Sequence, residues 1–166
     1  MSRPRTIPDD RIFTAVLGLL AQGGEKAVSL AAVANATGLA APTLVQRYGS
    51  RDGMVRAARH AAWTTLEAAT TKAITATEDK GPQALLKALG SVEPAHLTAD
   101  LRDPDLAQRA AVWRATVQSA LALRLGTGPK ARESAALLFA VWQGQQLWIS
   151  CGEPGFRMKD AVKRLT

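Results

Sequence analysis

The chain has 166 residues, of which 47% are hydrophobic, so it is long enough to bury the core of one or two domains. Its 21 Lys and Arg against 14 Asp and Glu give a formal net charge of +7, which suits a polyanionic partner but also suits solubility alone. No apolar run reaches about 18 residues and the first residues lack the apolar core of a secretory signal, so we expect neither a transmembrane helix nor a secretory signal. With a single Cys and so no internal disulfide, we expect a cytoplasmic protein without a membrane partner.

The composition predicts an all-α fold. Good helix formers dominate, and no stretch keeps the apolar–polar alternation of a half-buried strand. Apolar periodicity predicts about nine helices in total. The first begins at Asp9 or Asp10, either of which can cap it, and ends at Gly23 and Gly24. Its apolar stripe consists of Ile12, Val16, Leu19 and Leu20.

Two short helices separated by a glycine follow within residues 30–55. Gly38 stands where the first of them needs a residue that tolerates a positive φ to end. Pro42 opens the second, because its missing N–H costs nothing in a first turn. The spacing of Ala34, Gly38 and Leu44 fits a helix-turn-helix. The alternative is an ordinary αα-hairpin with a solvated polar face.

The polar face of the second short helix carries the candidates for base recognition. Thr43, Gln46 and Arg47 lie at i, i+3 and i+4, opposite the apolar Leu44. Arg and Gln side chains can both make bidentate hydrogen bonds to a base edge in the major groove. We therefore predict that these three side chains read bases.

Two further residues are candidates for contacts to the DNA backbone. Ser29 precedes a helix, where a hydroxyl can hold a phosphate or simply cap the helix. Arg51 lies in the first turn of the next helix, where the helix dipole disfavours a cation. A nearby phosphate would reverse that balance, whereas the alternative is a solvated surface Arg.

The order and spacing of these residues resemble the DNA-binding domain of the TetR family of transcriptional regulators. The resemblance covers residues 10–55, roughly the first third of the chain. Two positions depart from the family pattern: Ala40 replaces the usual Ser or Thr cap, and Val45 replaces a Tyr that touches the DNA backbone. The residues that carry the resemblance are Ile12, Ala15, Leu19, Leu20, Gly23, Gly24, Ser29, Val33, Ala34, Gly38, Leu39, Pro42, Thr43, Leu44, Tyr48 and residues 50–55.

The resemblance implies a homodimeric, DNA-binding repressor that a small molecule releases from a roughly palindromic operator. It implies a three-helix DNA-binding domain with a helix-turn-helix at residues 1–50 and a helical effector-binding and dimerisation domain at residues 51–166. Tyr48 is expected to pack its ring inside the first domain while its hydroxyl reaches a phosphate.

The remainder of the chain continues the helical pattern. We predict further helices at residues 51–80, 83–89, 105–125, 130–150 and 158–165, with another beginning near Glu93 and Pro94. Trp63, Trp113 and Trp142 lie on three different predicted helices, and Val117 lies one turn after Trp113. These four residues either fill the core or line a pocket for a small apolar or amphipathic effector.

A coiled-coil-like seam marks the helix predicted at residues 130–150. Leu137, Val141, Gly144 and Trp148 recur at i, i+4, i+7 and i+11, and Cys151 follows at i+14. Gly144 in mid-helix costs about 1 kcal/mol relative to Ala, which is understandable if another helix passes close to it. The seam looks like the helices through which TetR-family proteins dimerise, although the same face could pack inside a monomer.

The sequence offers no constellation for enzymatic chemistry. His60 and His96 are far apart and stand near no set of residues with metal-ligand spacing, and no phosphate-binding Gly motif is present. We therefore expect no enzyme activity, no metal and no cofactor. The alternative function is a helical ligand-binding or adaptor protein whose helix-turn-helix has lost DNA binding.

Overall fold

The computed structural model describes residues 7–91, 97, 100–152 and 155–165, and this part of the chain is helical and contains no strand. The all-α prediction is confirmed, and the helix predicted near Glu93 and Pro94 lies outside the described residues. In chain order, the elements are α1 (Asp9–Ala27), α2 (Leu30–Thr37), α3 (Ala41–Tyr48), α4 (Arg51–Ala76), α5 (Pro82–Leu89), α6 (Pro104–Leu125), α7 (Pro129–Trp148), a 3₁₀ helix (Ile149–Cys151) and α8 (Met158–Leu165).

The chain divides into two compact units, residues 1–65 and 66–166, and the division falls inside α4. This division concerns the packing of the chain. The functional boundary predicted from the sequence, between residues 50 and 51, coincides with the start of α4 and stays a prediction.

The first unit is built around one apolar core to which α1, α2, α3 and α4 all contribute. Leu19, the fourth residue of the predicted α1 stripe, packs half-buried against this core, so the predicted stripe is confirmed. The buried side chains are Ile12, Val16, Leu20, Val28, Val33, Ala34, Leu44, Met54, Val55 and Ala58.

The end of α1 differs from the prediction. Helical geometry breaks at Gly23 and Gly24, and Gly24 has the positive φ of 64° that only glycine adopts without strain. The chain then resumes a helical turn and ends at Ala27, where the N–H of Val28 donates to the carbonyl of Glu25 over 3.3 Å. The glycines therefore kink the helix rather than end it.

Residues at the ends of α2 and α3 determine where the two helices of the helix-turn-helix begin and end. The Ser29 hydroxyl accepts a hydrogen bond from the N–H of Ala32 at 3.0 Å, which caps α2. Gly38 ends α2 with a φ of 74°, and its N–H donates to the carbonyl of Ala34 at 2.8 Å. Ala40 gives α3 no side-chain cap. The predicted start of α3 is correct to one residue.

The second unit is centred on α6 and α7, which are joined by the short loop 126–128 and pack along each other. Both α5 and α8 pack against this pair, α5 against α6 and α8 against α7. The principal buried side chains are Leu85, Leu86, Leu106, Ala110, Trp113, Val117, Leu121, Ala135, Leu138, Phe139 and Trp142.

A side chain from α6 fixes the end of α4. Arg124 donates from Nη2 to the carbonyl of Ile74 at 2.9 Å and from Nε to the carbonyl of Thr77 at 3.2 Å. Both carbonyls lie in the turn that ends the helix, where each also accepts a backbone N–H, from Thr77 and from Lys80. Arg124 adds a charged donor to this turn, and α4 ends at Ala76, about one turn before the predicted end at Lys80.

Candidate nucleic-acid interface

The outer face of α3 is exposed. Leu44 is fully buried and anchors the helix on the core, while Pro42, Val45, Gln46 and Gly49 face solvent. These four positions follow the i, i+3, i+4, i+7 spacing of a single helix face. The part of α3 that can meet a partner is therefore a narrow strip with one amide, Gln46, at its centre.

The three predicted base-reading residues share one side of α3 but differ in their surroundings. Gln46 is exposed and Thr43 is half-buried. The Arg47 side chain is 25% exposed and turns towards the start of α1. There Nη1 donates to the carbonyl of Ile7 at 2.7 Å and to Oδ1 of Asp9 at 3.4 Å.

Tyr48 joins the same cluster. Its hydroxyl donates to Oδ1 of Asp9 at 2.5 Å, and its ring packs on Phe13 with the ring centroids 5.8 Å apart. Burial, followed by the neighbouring Asp9 carboxylate, raises the pKa of Tyr48 to about 12. The ring packs as the sequence predicts, and the hydroxyl is held by a carboxylate.

Arg51 clamps the end of α1 to the start of α4. Its Nε donates to the carbonyl of Val28 at 3.1 Å, and its Nη2 donates to both the carbonyl and the carboxylate of Glu25 at 2.5 Å. Its Nη1 donates to Asp52 at 2.7 Å. The hydrogen bond to Asp52 raises the pKa of Arg51 above its ordinary value, and Glu25 adds to the effect. The helix dipole disfavours a cation in the first turn of α4, and these contacts stabilise Arg51 there as a phosphate would.

Glu25 also holds a second arginine. Its Oε1 accepts a hydrogen bond from Nη2 of Arg59 at 2.5 Å. One half-exposed carboxylate thus bridges Arg51 on the first turn of α4 and Arg59 two turns later. Gly53 lets the first turn of α4 lie close to the end of α3, because a Cβ at Gly53 would collide with the carbonyl oxygen of Tyr48.

Sequence reasoning missed two features of this surface. Asp9 and Glu25 neutralise arginines that lie 38 and 26 residues further along the chain, and no local pattern reports such pairs. Pro42 and Val45 were named for other reasons, but the helix period could have predicted that they share the exposed face with Gln46.

The aromatic residues of the second unit form a packed cluster. Trp113 lies 5.7 Å from Phe139 and 6.4 Å from Trp142 between ring centroids, and its Nε1 donates to the Thr70 hydroxyl at 2.8 Å. Val117 and Trp142 are 0% and 3% exposed, so they fill the core.

Trp113 lines a cavity of about 240 Å³ beside this cluster, together with Phe139, Arg114 and Gln143. The other three residues predicted to line an effector pocket, Trp63, Val117 and Trp142, do not line this cavity. Trp63 is buried and belongs to the first unit.

The predicted seam of α7 lies largely at the surface. Leu137 and Trp148 are 49% and 64% exposed, and Val141 and Gly144 are half-buried. Apart from its chain neighbours and the nearby backbone of α7 itself, no atom of the described residues lies within 4 Å of where a Cβ on Gly144 would stand. Cys151, predicted to extend the seam, is also exposed; it lies in the 3₁₀ helix that follows α7 and lines one groove with Val141, Gly144 and Trp148.

The apolar surface continues beyond the seam around a groove of about 600 Å³. Ile149 is 66% exposed and Phe156 is 45% exposed, and both line this groove with Val141, Gly144 and Trp148. Adjacent exposed apolar side chains of this kind mark an interaction surface more often than isolated ones do.

Neither a metal centre nor a membrane span is found in the part of the chain that the structure describes. There, no group of three or more His, Cys, Asp or Glu side chains is placed to hold a metal ion. None of the described helices is both long enough and apolar enough to cross a bilayer.

The fold recurs in a known structure. The crystal structure of a candidate TetR-family transcriptional regulator from Rhodococcus sp. matches with a TM-score of 0.61 at 18% identity, covering 95% of this chain and 93% of that one. No protein-family model and no curated protein matches the sequence. The resemblance stated from the sequence is thus confirmed for the fold, and the function has to be argued from the site.

Proposed function

We propose that this protein is a DNA-binding transcriptional regulator that acts as a ligand-responsive homodimeric repressor in the cytoplasm. One observation carries the proposal: α2, Gly38 and α3 form a capped helix-turn-helix, and α3 turns its outer face to solvent. Residues 1–50 form the DNA-binding domain in this proposal, and residues 51–166 bind the effector and the second copy.

The proposed DNA contacts fall into two groups. Thr43, Gln46 and Arg47 read base edges in the major groove. Ser29, Tyr48 and Arg51 hold phosphates, with Ser29 at the N-terminus of α2. The net charge of +7 adds a sequence-independent attraction to DNA.

Binding in this manner requires an exchange of partners. Arg47, Tyr48 and Arg51 are hydrogen-bonded to carboxylates of α1 in the free protein. Half-exposed ion pairs contribute little to stability, so phosphate oxygens can replace these carboxylates at small cost. The DNA-binding surface is therefore self-neutralised in the free protein and opens on contact with DNA.

Dimerisation follows from the exposed face of α7. Leu137, Val141, Gly144 and Trp148 form the core of the proposed interface, where Gly144 lets a helix of the partner copy approach closely. A dimer doubles the small area that one helix-turn-helix can bury and requires a palindromic operator.

The ligand response requires a preference between two states. An effector that binds the second unit releases DNA only if it binds more tightly to the conformation that cannot bind DNA than to the conformation that can. The effector residues inferred from the sequence were Trp63, Trp113, Val117 and Trp142. Of these, Trp113 has a cavity beside it, so the proposed effector site is placed there.

A second function is favoured by two observations. Three of the six DNA-contact candidates, Arg47, Tyr48 and Arg51, are held by other residues of the chain, and Ala40 leaves α3 without a side-chain cap. These features also suit a helical ligand-binding or adaptor protein that no longer binds DNA.

Selection of bound duplexes from a random DNA pool by the full chain distinguishes the two functions. The regulator is expected to enrich one palindromic sequence, and light scattering of the complex is expected to give two protein copies per duplex. Gln46→Ala, which leaves the fold unchanged because its side chain is exposed, is expected to lose the enrichment. Failure to enrich any sequence would favour the adaptor.

A further inference from the structure

The cavity beside Trp113 has the size and lining of a small-molecule site. It measures about 240 Å³ and lies between α6, α7 and the chain just before α6. Sites for drug-sized ligands span roughly 300–1,000 Å³, so this cavity fits a smaller molecule, on the order of a dozen non-hydrogen atoms. Most of its wall is apolar, and Leu101, Ala110, Trp113 and Phe139 are among the residues that line it.

Two polar side chains in this mostly apolar wall can orient a bound ligand. Gln143 lines the cavity, and its Nε2 is buried without a hydrogen-bond partner among the residues that the structure describes. A buried donor left unpaired is costly, and a ligand that brings an acceptor removes that cost. Arg114 lines the same cavity, is exposed and adds a permanent positive charge.

We propose that this cavity binds a small apolar carboxylic acid. Its hydrocarbon or aromatic body packs against Trp113 and Phe139, and its carboxylate pairs with Arg114. The Gln143 amide turns towards the cavity and donates from Nε2 to the same carboxylate. An anion is favoured over a neutral acceptor because, among the described residues, an Arg lines the cavity and no Asp or Glu does. That this ligand is the effector rests on the proposed function, whereas its binding does not.

The first experiment measures binding without DNA. Isothermal titration calorimetry of the full-length protein compares phenylacetate and octanoate with phenylacetamide and octanamide, which have the same shape but no charge, and with phenethylamine. Binding of at least one carboxylate, at least tenfold tighter than its amide, is expected. No carboxylate binding at millimolar concentration, or equal binding of the amide or the amine, would overturn the proposal.

Variants then place the ligand in this cavity. Arg114→Gln and Gln143→Leu are each expected to weaken carboxylate binding at least tenfold and to leave the helical circular dichroism signal unchanged. Arg132→Gln, an exposed Arg of α7 outside the cavity, serves as the matched control and is expected to bind normally. Binding that is unaffected by both cavity variants would overturn the assignment.

The two proposals fail separately. If the carboxylate binds but the protein enriches no DNA sequence, the ligand site stands and the regulator function falls. If DNA is bound but no carboxylate is, the ligand proposal alone is overturned. If both bind and the carboxylate leaves DNA affinity unchanged, the ligand is not the effector.

Discussion

At the scale of single residues, the free protein pairs the arginine and tyrosine DNA-contact candidates with its own carboxylates. Glu25 holds Arg51 and Arg59, and Asp9 holds Arg47 and Tyr48. The same guanidinium groups cannot make these contacts and phosphate contacts at full strength at once. These two carboxylates therefore set how much of the positive charge of the first unit is available to a polyanion.

The first prediction concerns Glu25→Gln. Removing this charge is expected to tighten DNA binding about two- to fivefold, because Arg51 and Arg59 lose a competing anion. The free energy of unfolding should fall by no more than about 1 kcal/mol, since Glu25 is half-exposed. Fluorescence anisotropy with labelled DNA checks the affinity, with the exposed Glu78→Gln as control. Weaker binding by Glu25→Gln would contradict this role.

The second prediction uses the raised pKa of Tyr48. The unfolded chain loses this proton near pH 10 and the folded protein near pH 12. The stabilisation is therefore complete below about pH 10 and is lost as the pH rises to about 12. Tyr48→Phe should lose about 1 kcal/mol at pH 8 through the missing hydrogen bond to Asp9. Urea unfolding checks this.

The difference in stability between wild type and Tyr48→Phe should shrink between pH 10 and pH 12, because only the wild type has a hydroxyl to ionise. This comparison cancels the titration of the lysines that both proteins share. A difference that stays constant across this range would show that the hydroxyl is not held by Asp9.

At the scale of elements, the sequence predicted the helices that local residues define. Ser29, Gly38 and Pro42 mark the boundaries of α2 and α3 within one residue, because caps and glycine turns act locally. The end of α4 could not be predicted, since Arg124 fixes it from 47 residues away. The partners of Arg51 and Arg47 escaped prediction for the same reason.

The burial of aromatic residues was predicted only in general terms. Periodicity identifies Trp113, Val117 and Trp142 as inward-facing, and all three are buried. Which of them borders a cavity depends on how α6 and α7 fit together, and the sequence pattern of either helix alone does not contain that information.

The third prediction tests the clamp on α4. Arg124→Ala is expected to lower the free energy of unfolding by about 2 kcal/mol, because the carbonyls of Ile74 and Thr77 lose a charged donor. Thermal unfolding checks this, and Arg132→Ala at an exposed position of α7 is the control. Equal melting temperatures for the two variants would contradict the clamp.

At the scale of the whole molecule, the apolar surface around the end of α7 favours assembly. Leu137, Trp148 and Ile149 expose large apolar side chains on one region of the second unit. Burial of such a surface stabilises a dimer in proportion to its area. The first unit, in contrast, exposes charged and polar groups together with Val45.

The fourth prediction is that the double variant Leu137→Glu with Trp148→Glu is monomeric. Two buried carboxylates in an apolar interface should raise the dimer Kd about 30-fold or more. Light scattering should report a change from the mass of two chains to that of one. Val45→Glu, at an exposed apolar residue of the first unit, should remain dimeric. A dimeric double variant would show that the interface lies elsewhere.

The central claim is that the exposed face of α3 reads base edges in the major groove of DNA. Dimethyl sulfate protection on the selected duplex tests it most directly, because the reagent methylates guanine N7 in that groove. We predict two symmetric blocks of protected guanines, one or more helical turns apart, that Gln46→Ala weakens in both half-sites. Protection that Gln46→Ala and Arg47→Ala both leave unchanged would contradict the account.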